Sequence, residues 1–243
     1  MIVAFLNQKG GVGKSTISAH FALWHHERGH KVCLIDADAQ ETITKWVAKS
    51  KADDKLPSIE LPVAALTDPD DIVSAVRGVH EIYDIVVLDG PGGIKDTSRA
   101  CCLAADVVVV PAGPSTVDLE STMDTIRVLQ NCQMARESAR PFPLLVLNRL
   151  RNRRYRLTRE ALEVKDELGI PACVTGLSTL DAYADAIGKG TAVWHFGRSA
   201  QRATDEITEL LEEITLYAKQ LADGQAEAGR AAVRQRKVVS SGN

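Results

Sequence analysis

The sequence has few cysteines, no long apolar run and no excess of positive charge, and each absence excludes a class of protein. Its five cysteines are odd in number and irregularly spaced, which argues against a disulfide framework and favours reduced thiols. No apolar run approaches the roughly 20 residues that span a bilayer, and the first strand pattern begins too early for a signal peptide. A net charge of −3 gives no overall attraction to nucleic acid, so such binding requires a local basic patch. We expect one cytoplasmic α/β domain.

What the sequence does contain is a glycine-rich loop near its start. Residues 7–16 are Asn-Gln-Lys-Gly-Gly-Val-Gly-Lys-Ser-Thr, between an apolar run at 2–6 and a helical pattern. This order of strand, loop and helix is the setting of a phosphate-binding loop. Glycines let backbone N–H groups turn towards an anion, and the helix N-terminus adds the positive end of its dipole. We expect Lys14 on the β- and γ-phosphates and Ser15 on Mg²⁺. The predicted nucleotide contacts in the loop are Gly10, Gly11, Val12, Gly13, Lys14, Ser15 and Thr16.

The loop departs from the common G-x-x-x-x-G-K-[ST] pattern, because Gln8 replaces glycine and a second lysine, Lys9, follows it. The resulting K-G-G-x-G-K-[ST] pattern resembles the deviant Walker A ATPases of the ParA/MinD family. The resemblance implies that Lys9 reaches the ATP of a partner subunit in a sandwich dimer. It also implies a doubly wound, mostly parallel sheet with helices on both faces, ATP and Mg²⁺ as cofactors, and slow, partner-stimulated hydrolysis.

Aspartates follow two further buried strand patterns. The run 31–35 leads into Asp36 and Asp38, and the run 84–88 leads into Asp89. The carboxyl ends of parallel strands are where an open α/β sheet places its chemistry, although an Asp there also commonly caps a helix or opens a turn. Beside a phosphate loop, Asp89 is predicted to hold Mg²⁺ through water. The family resemblance implies that Asp38 positions water or acts as a general base. It also implies that Asp36 supports Lys14, Ser15 or the Mg²⁺ shell.

Another strand pattern, at 143–148, ends in Asn148, whose amide suits an adenine edge because it both donates and accepts, although an Asn there also commonly opens a turn. The stretch 149–156 that follows carries five arginines. It is predicted to contact DNA phosphates, a partner subunit's nucleotide or a partner protein, or to be a solvated loop, and these alternatives stay open. The arginines that we predict to contact DNA are Arg153 and Arg154 here, and Arg198 and Arg202, which the resemblance to small ParA proteins places at the start of the last helix.

The remaining patterns are structural predictions. We expect a short strand at 59–64, a last strand at 170–175, and an ATPase domain over 1–222 that ends in an amphipathic helix. The segment 223–243 is small, polar and weakly basic, which predicts a disordered tail without the apolar face that membrane insertion needs. Three cysteines are predicted to be buried apolar thiols, not iron–sulfur ligands. They are Cys101, Cys102 and Cys132.

From the motifs and the resemblance we predict an ATP-dependent dimerising switch that binds DNA without sequence preference. The predicted protein is a cytoplasmic, nucleoid-associated homodimer that makes no membrane contact. It positions a plasmid, chromosome or other cargo, and a ParB-like adaptor stimulates its ATPase. The first alternative is a MinD-like membrane-associated positioning ATPase. The second is a small-molecule enzyme or metallochaperone of the same superfamily, for which the sequence shows no regular metal-ligand spacing.

Overall fold

The computed structural model describes residues 1–52, 56–93, 96–136, 139–151 and 168–240, with side chains except at 116, 119 and 225–240. Within these ranges six parallel strands form one sheet in the order β3-β2-β4-β1-β5-β6. The strands are β1 (Ile2–Phe5), β2 (Val32–Asp36), β3 (Val63–Ala65), β4 (Ile85–Asp89), β5 (Val107–Ala112) and β6 (Phe142–Leu147). The predicted parallel, doubly wound fold is confirmed.

Helices cover both faces of this sheet. In chain order they are α1 (Lys14–His26), α2 (Thr42–Ser50), α3 (Pro69–Val79), α4 (Asp96–Ala104), α5 (Thr116–Ala135), α6 (Asp181–Lys189), a 3₁₀ segment (Val193–Ala200) and α7 (Gln201–Ser240). Helices α1, α2, α6 and α7 share one apolar core with the sheet, and α3, α4 and α5 pack on the opposite face. Among the described residues, no helix is long and apolar enough to cross a membrane.

Strict alternation along the central strands produces these two cores. In β1, Val3 and Phe5 point to the α1 face, whereas Ala4 points to the α3 face. Because successive side chains of a strand point to opposite faces, a run that is apolar throughout must be covered on both sides. All five cysteines are buried and free of disulfides, which confirms the predicted burial of Cys101, Cys102 and Cys132. Because the strands are parallel, their carboxyl ends lie at one edge of the sheet, and the phosphate loop follows β1 at that edge.

Two predicted strands differ from the structure, and proline is involved in both. The strand predicted at 59–64 begins only after Pro62, which has no N–H to donate. The strand predicted at 170–175 is reduced to one bridge between Leu145 and Ala172, beside Pro171. The amides of Val174 and Thr175 bind the Glu213 carboxylate of α7 instead, at 2.7 and 2.9 Å.

The last helix also extends further than expected. Helix α7 continues to Ser240, across most of the segment for which the sequence predicts disorder. Residues 223–243 include four alanines and three arginines, which are good helix formers, so local propensity favours a helix there. The division into a domain at 1–222 and a tail at 223–243 stays a prediction. The predicted amphipathic stripe on α7 is confirmed, since its apolar residues line the α1-side core.

Candidate nucleotide site

The phosphate loop joins the end of β1 to α1, and its backbone is open to an anion. Helix α1 begins at Lys14 after Gly13, which has φ 99° and provides no side-chain cap, so the first helical amides have no capping acceptor. The amide of Asn148 donates to the Val12 carbonyl at 2.7 Å and accepts from the Arg149 N–H at 2.7 Å. Asn148 therefore fixes the loop from β6, and its adenine contact stays a prediction.

Two buried aspartates lie side by side beneath the loop. Asp36 and Asp89 are register partners at the ends of neighbouring strands, and both are fully buried. The Ser18 hydroxyl donates to Asp89 Oδ1 at 3.0 Å, and the Ser15 hydroxyl lies near enough to this carboxylate to lower its pKa. Burial raises the pKa of Asp89 to about 7, with the charge of Asp36 adding to the rise and the two serines opposing it.

Of these two aspartates, Asp89 suits a divalent cation. The second oxygen of Asp89, Oδ2, is buried and has no hydrogen-bond partner. A desolvated carboxylate beside serine hydroxyls offers the oxygen ligands that Mg²⁺ takes in phosphate sites. Asp89 and Ser15 thus fit the predicted Mg²⁺ site. The Asp36 carboxylate is committed to α2, since it accepts from the Thr44 N–H at 2.9 Å and the Thr44 hydroxyl at 3.1 Å.

Lys14 and Asp38 occupy the same edge of the sheet. Lys14 is 6% exposed and its Nζ donates to the Lys9 carbonyl at 3.3 Å. Burial lowers the pKa of Lys14, against the opposing attraction of Asp89 and Asp38. Asp38 is half-buried, and its carboxylate accepts from the Gln40 N–H at 3.0 Å. Asp38 is close enough to Lys14 for their charges to attract each other. Its role in positioning water or as a general base stays a prediction.

The first turns of α5 hold the start of the loop, a set of contacts that the sequence reasoning missed. The Gln8 N–H donates to the Thr125 hydroxyl at 3.1 Å, and the Ser121 hydroxyl donates to Asn7 Oδ1 at 3.0 Å. Asp118 lies 2.7 Å from the Lys9 ammonium. The spacing Ser115-x-x-Asp118 was recognisable as a capping box, which the structure forms, but nothing in it points to Lys9.

The predicted DNA-contacting arginines are only partly described. Arg198 follows the non-helical Gly197, whose φ is 63°, and lies in the last turn of the 3₁₀ segment, which continues directly into α7 at Gln201. Arg202 is in α7, and its guanidinium binds Glu206 at 2.9 Å and the Ser178 hydroxyl at 2.7 Å. Arg153 and Arg154 lie outside the described residues. From the same cluster, Arg149 donates to the Gly11 carbonyl at 3.1 Å.

Comparison with known proteins agrees with this geometry. Residues 3–193 match the family model described as the CobQ/CobB/MinD/ParA nucleotide binding domain. The chain is 30% identical over 216 residues to the "Maintenance of carboxysome distribution protein A" of Halothiobacillus neapolitanus, covering 87% of this chain and 95% of that protein. A structure of a Cyanothece McdA variant with ATP superimposes with a TM-score of 0.71 at 15% identity, covering 91% of this chain and 96% of that one. MinD of Pyrococcus horikoshii with Mg-ADP gives 0.66 at 18% identity, with coverages of 90% and 98%.

The fold and the loop define a P-loop nucleotide-binding protein with a parallel α/β sheet. More narrowly, the chain belongs to the CobQ/CobB/MinD/ParA nucleotide-binding family, which confirms the resemblance to ParA/MinD-type ATPases. The predicted cofactors, ATP and Mg²⁺, agree with that family and with the ligands named for these two structures.

Proposed function

We propose that the chain is an ATP-dependent dimerising ATPase that binds DNA without sequence preference and positions a large cargo. The observation that carries the proposal is a second lysine in the phosphate loop. Lys9 is only partly buried, whereas Lys14 is buried, is attracted electrostatically by Asp89 and Asp38, and already provides the cation that the loop needs. A second ammonium at the outer side of the loop suits the nucleotide of a facing subunit.

In the proposed cycle the loop amides and Lys14 hold the phosphates of ATP, while Asp89 and Ser15 hold Mg²⁺, which neutralises phosphate charge. Two subunits then face each other, and Lys9 of each completes the site of the other. Asp38 orients the attacking water, hydrolysis separates the subunits, and an adaptor of the ParB type accelerates this step. The cargo is a plasmid, a chromosome or a protein body, such as the carboxysome named for the Halothiobacillus relative.

Surface arginines support the DNA part of the proposal. Arg198 is exposed at the start of the last helical region, and Arg202 keeps 68% of its side chain exposed despite its Glu206 contact. Because the net charge is −3, attraction to DNA must come from a local patch that two paired subunits double. Binding that rests on phosphate contacts weakens steeply as salt rises.

The test compares wild type with Lys9→Ala and Asp38→Ala for dimer formation and DNA binding, with and without ATP. We expect wild type to bind DNA only with ATP, Lys9→Ala to lose both properties, and Asp38→Ala to stay dimeric and bound to DNA without hydrolysing ATP. A Lys9→Ala protein that dimerises, hydrolyses ATP and binds DNA like wild type contradicts the proposal. A parallel assay measures binding of the protein to liposomes of anionic lipid. ATP-dependent liposome binding, without DNA binding, would favour the MinD-like alternative.

A further inference from the structure

Lys9 is already engaged within the single chain. Its ammonium forms an ion pair with Asp118 Oδ1 at 2.7 Å, and the Lys9 and Asp118 side chains are 36% and 13% exposed. Asp118 sits in the first turn of α5, where its other oxygen accepts from the Ser115 N–H at 3.2 Å. One carboxylate oxygen therefore caps the helix and the other holds the lysine.

The backbone on both sides of this ion pair is fixed. Before Lys9, the loop is tied to α5 through Gln8 and Thr125, and the Lys9 N–H donates to Asn7 Oδ1 at 3.0 Å. The Gln8 carbonyl also accepts from the Gly93 N–H at 2.7 Å, which links the segment after Asp89 to the same point. The backbone around Lys9 is therefore held to α5 by contacts that do not involve the Lys9 ammonium.

We propose that Asp118 is a positioning residue that holds Lys9 in its own subunit until a nucleoside triphosphate in a second copy of the chain takes its place. This inference rests on the proposed function, because it concerns the step in which two subunits pair. A triphosphate presents more negative charge than one carboxylate, so it can replace Asp118 as the partner of the ammonium. A diphosphate lacks the terminal phosphoryl group and competes less well, so the ion pair makes pairing selective for the triphosphate.

The shared role of Asp118 allows a clean pair of variants. Asp118→Asn keeps an amide oxygen that can cap α5 through Ser115 but removes the charge that holds Lys9. Ser115→Ala weakens the same cap and removes the hydroxyl that donates to Asp118 Oδ2, but it keeps the charge of Asp118 and the Oδ1 atom that holds Lys9. A role in helix capping alone affects both variants, whereas a role in holding Lys9 affects only the first.

The experiment measures the dimer fraction by analytical ultracentrifugation against the concentration of a non-hydrolysable ATP analogue. We expect Asp118→Asn to reach half-maximal dimer at roughly two- to fivefold less analogue than wild type, the range of a partly exposed ion pair. Ser115→Ala should follow wild type, and Lys9→Ala/Asp118→Asn should fail to dimerise like Lys9→Ala alone. In the nucleotide-free protein, acetylation of Lys9 by acetic anhydride, measured by mass spectrometry, should be faster in Asp118→Asn only.

Each contrary outcome has its own meaning. A wild-type chain that dimerises while Asp118→Asn needs the same or more analogue overturns the role of Asp118 and leaves the proposed function standing. Equal effects of Asp118→Asn and Ser115→Ala also overturn it, since helix capping then accounts for both. A wild-type chain that stays monomeric at saturating analogue overturns the proposed function and this inference with it.

Discussion

Replacing Asp89 by Asn should stabilise the nucleotide-free protein and weaken its nucleotide site. Asp89 is fully buried, its Oδ2 has no partner, and its pKa is raised from 3.8 to about 7. Between these two values the folded chain binds more protons than the unfolded one, so stability falls as pH rises through this window. The ionised Asp89 carboxylate therefore lowers the free energy of unfolding, and a bound cation would offset that loss.

The magnitude follows from the size of the pKa shift. A rise from 3.8 to about 7 corresponds to about 4 kcal/mol of lost stability once the carboxylate is ionised, at roughly 1.4 kcal/mol per unit. Asparagine cannot ionise, but its amide N–H₂ takes the place of the partnerless oxygen, at a cost of about 1–3 kcal/mol. We expect the variant to be more stable than wild type by about 1–3 kcal/mol at pH 8 and to lose this advantage near pH 5.

Urea unfolding without nucleotide or Mg²⁺, at pH 5 and pH 8, measures the difference. Because only Asp89 changes, titrating groups distant from it cancel when the two proteins are compared at one pH, whereas its neighbours Asp36 and Lys14 are coupled to it. MgATP should raise the stability of wild type, by about 2.7 kcal/mol at a hundredfold excess over the Kd, and that of the variant much less. A variant that is no more stable than wild type at pH 8, or whose advantage is the same at both pH values, refutes the reasoning.

Two further substitutions test the loop and the helix behind it. Gly13→Ala should lose about 2–4 kcal/mol in urea unfolding and lose ATP binding in calorimetry, because φ is 99° and a Cβ would lie 2.0 Å from Asn148 Nδ2. Gly10→Ala, with open space around its Cβ, should keep its stability within about 0.5 kcal/mol, and equal losses would contradict the argument. Burial lowers the pKa of His20 from 6.5 to about 4, so the unfolded chain binds the extra proton and stability falls as pH drops through that window. His20→Gln should remove about 3 kcal/mol of that acid sensitivity, and an unchanged pH profile of unfolding would speak against it.

The features that were predictable from the sequence are those encoded by neighbouring residues. The phosphate loop and the apolar strands each depend on a few consecutive side chains. The contacts that were missed join distant positions, as between Lys9 and Asp118 or between Val12 and Asn148. No local periodicity records such pairs. The strand predicted at 170–175 failed for the same reason, since Glu213 of α7 takes the amides that a strand would have used.

By itself the sequence determined the kind of protein, because glycines and lysines at fixed spacing between a buried strand and a helix are sufficient to form an anion site. It also determined which carboxylates stand at strand ends. Only the tertiary structure decided how those groups are engaged. Parallel register brings Asp36 beside Asp89 and buries both, and the packing of α5 against the loop gives Lys9 a carboxylate partner. Burial and pairing depend on which strands and helices become neighbours, and that is a property of the folded chain.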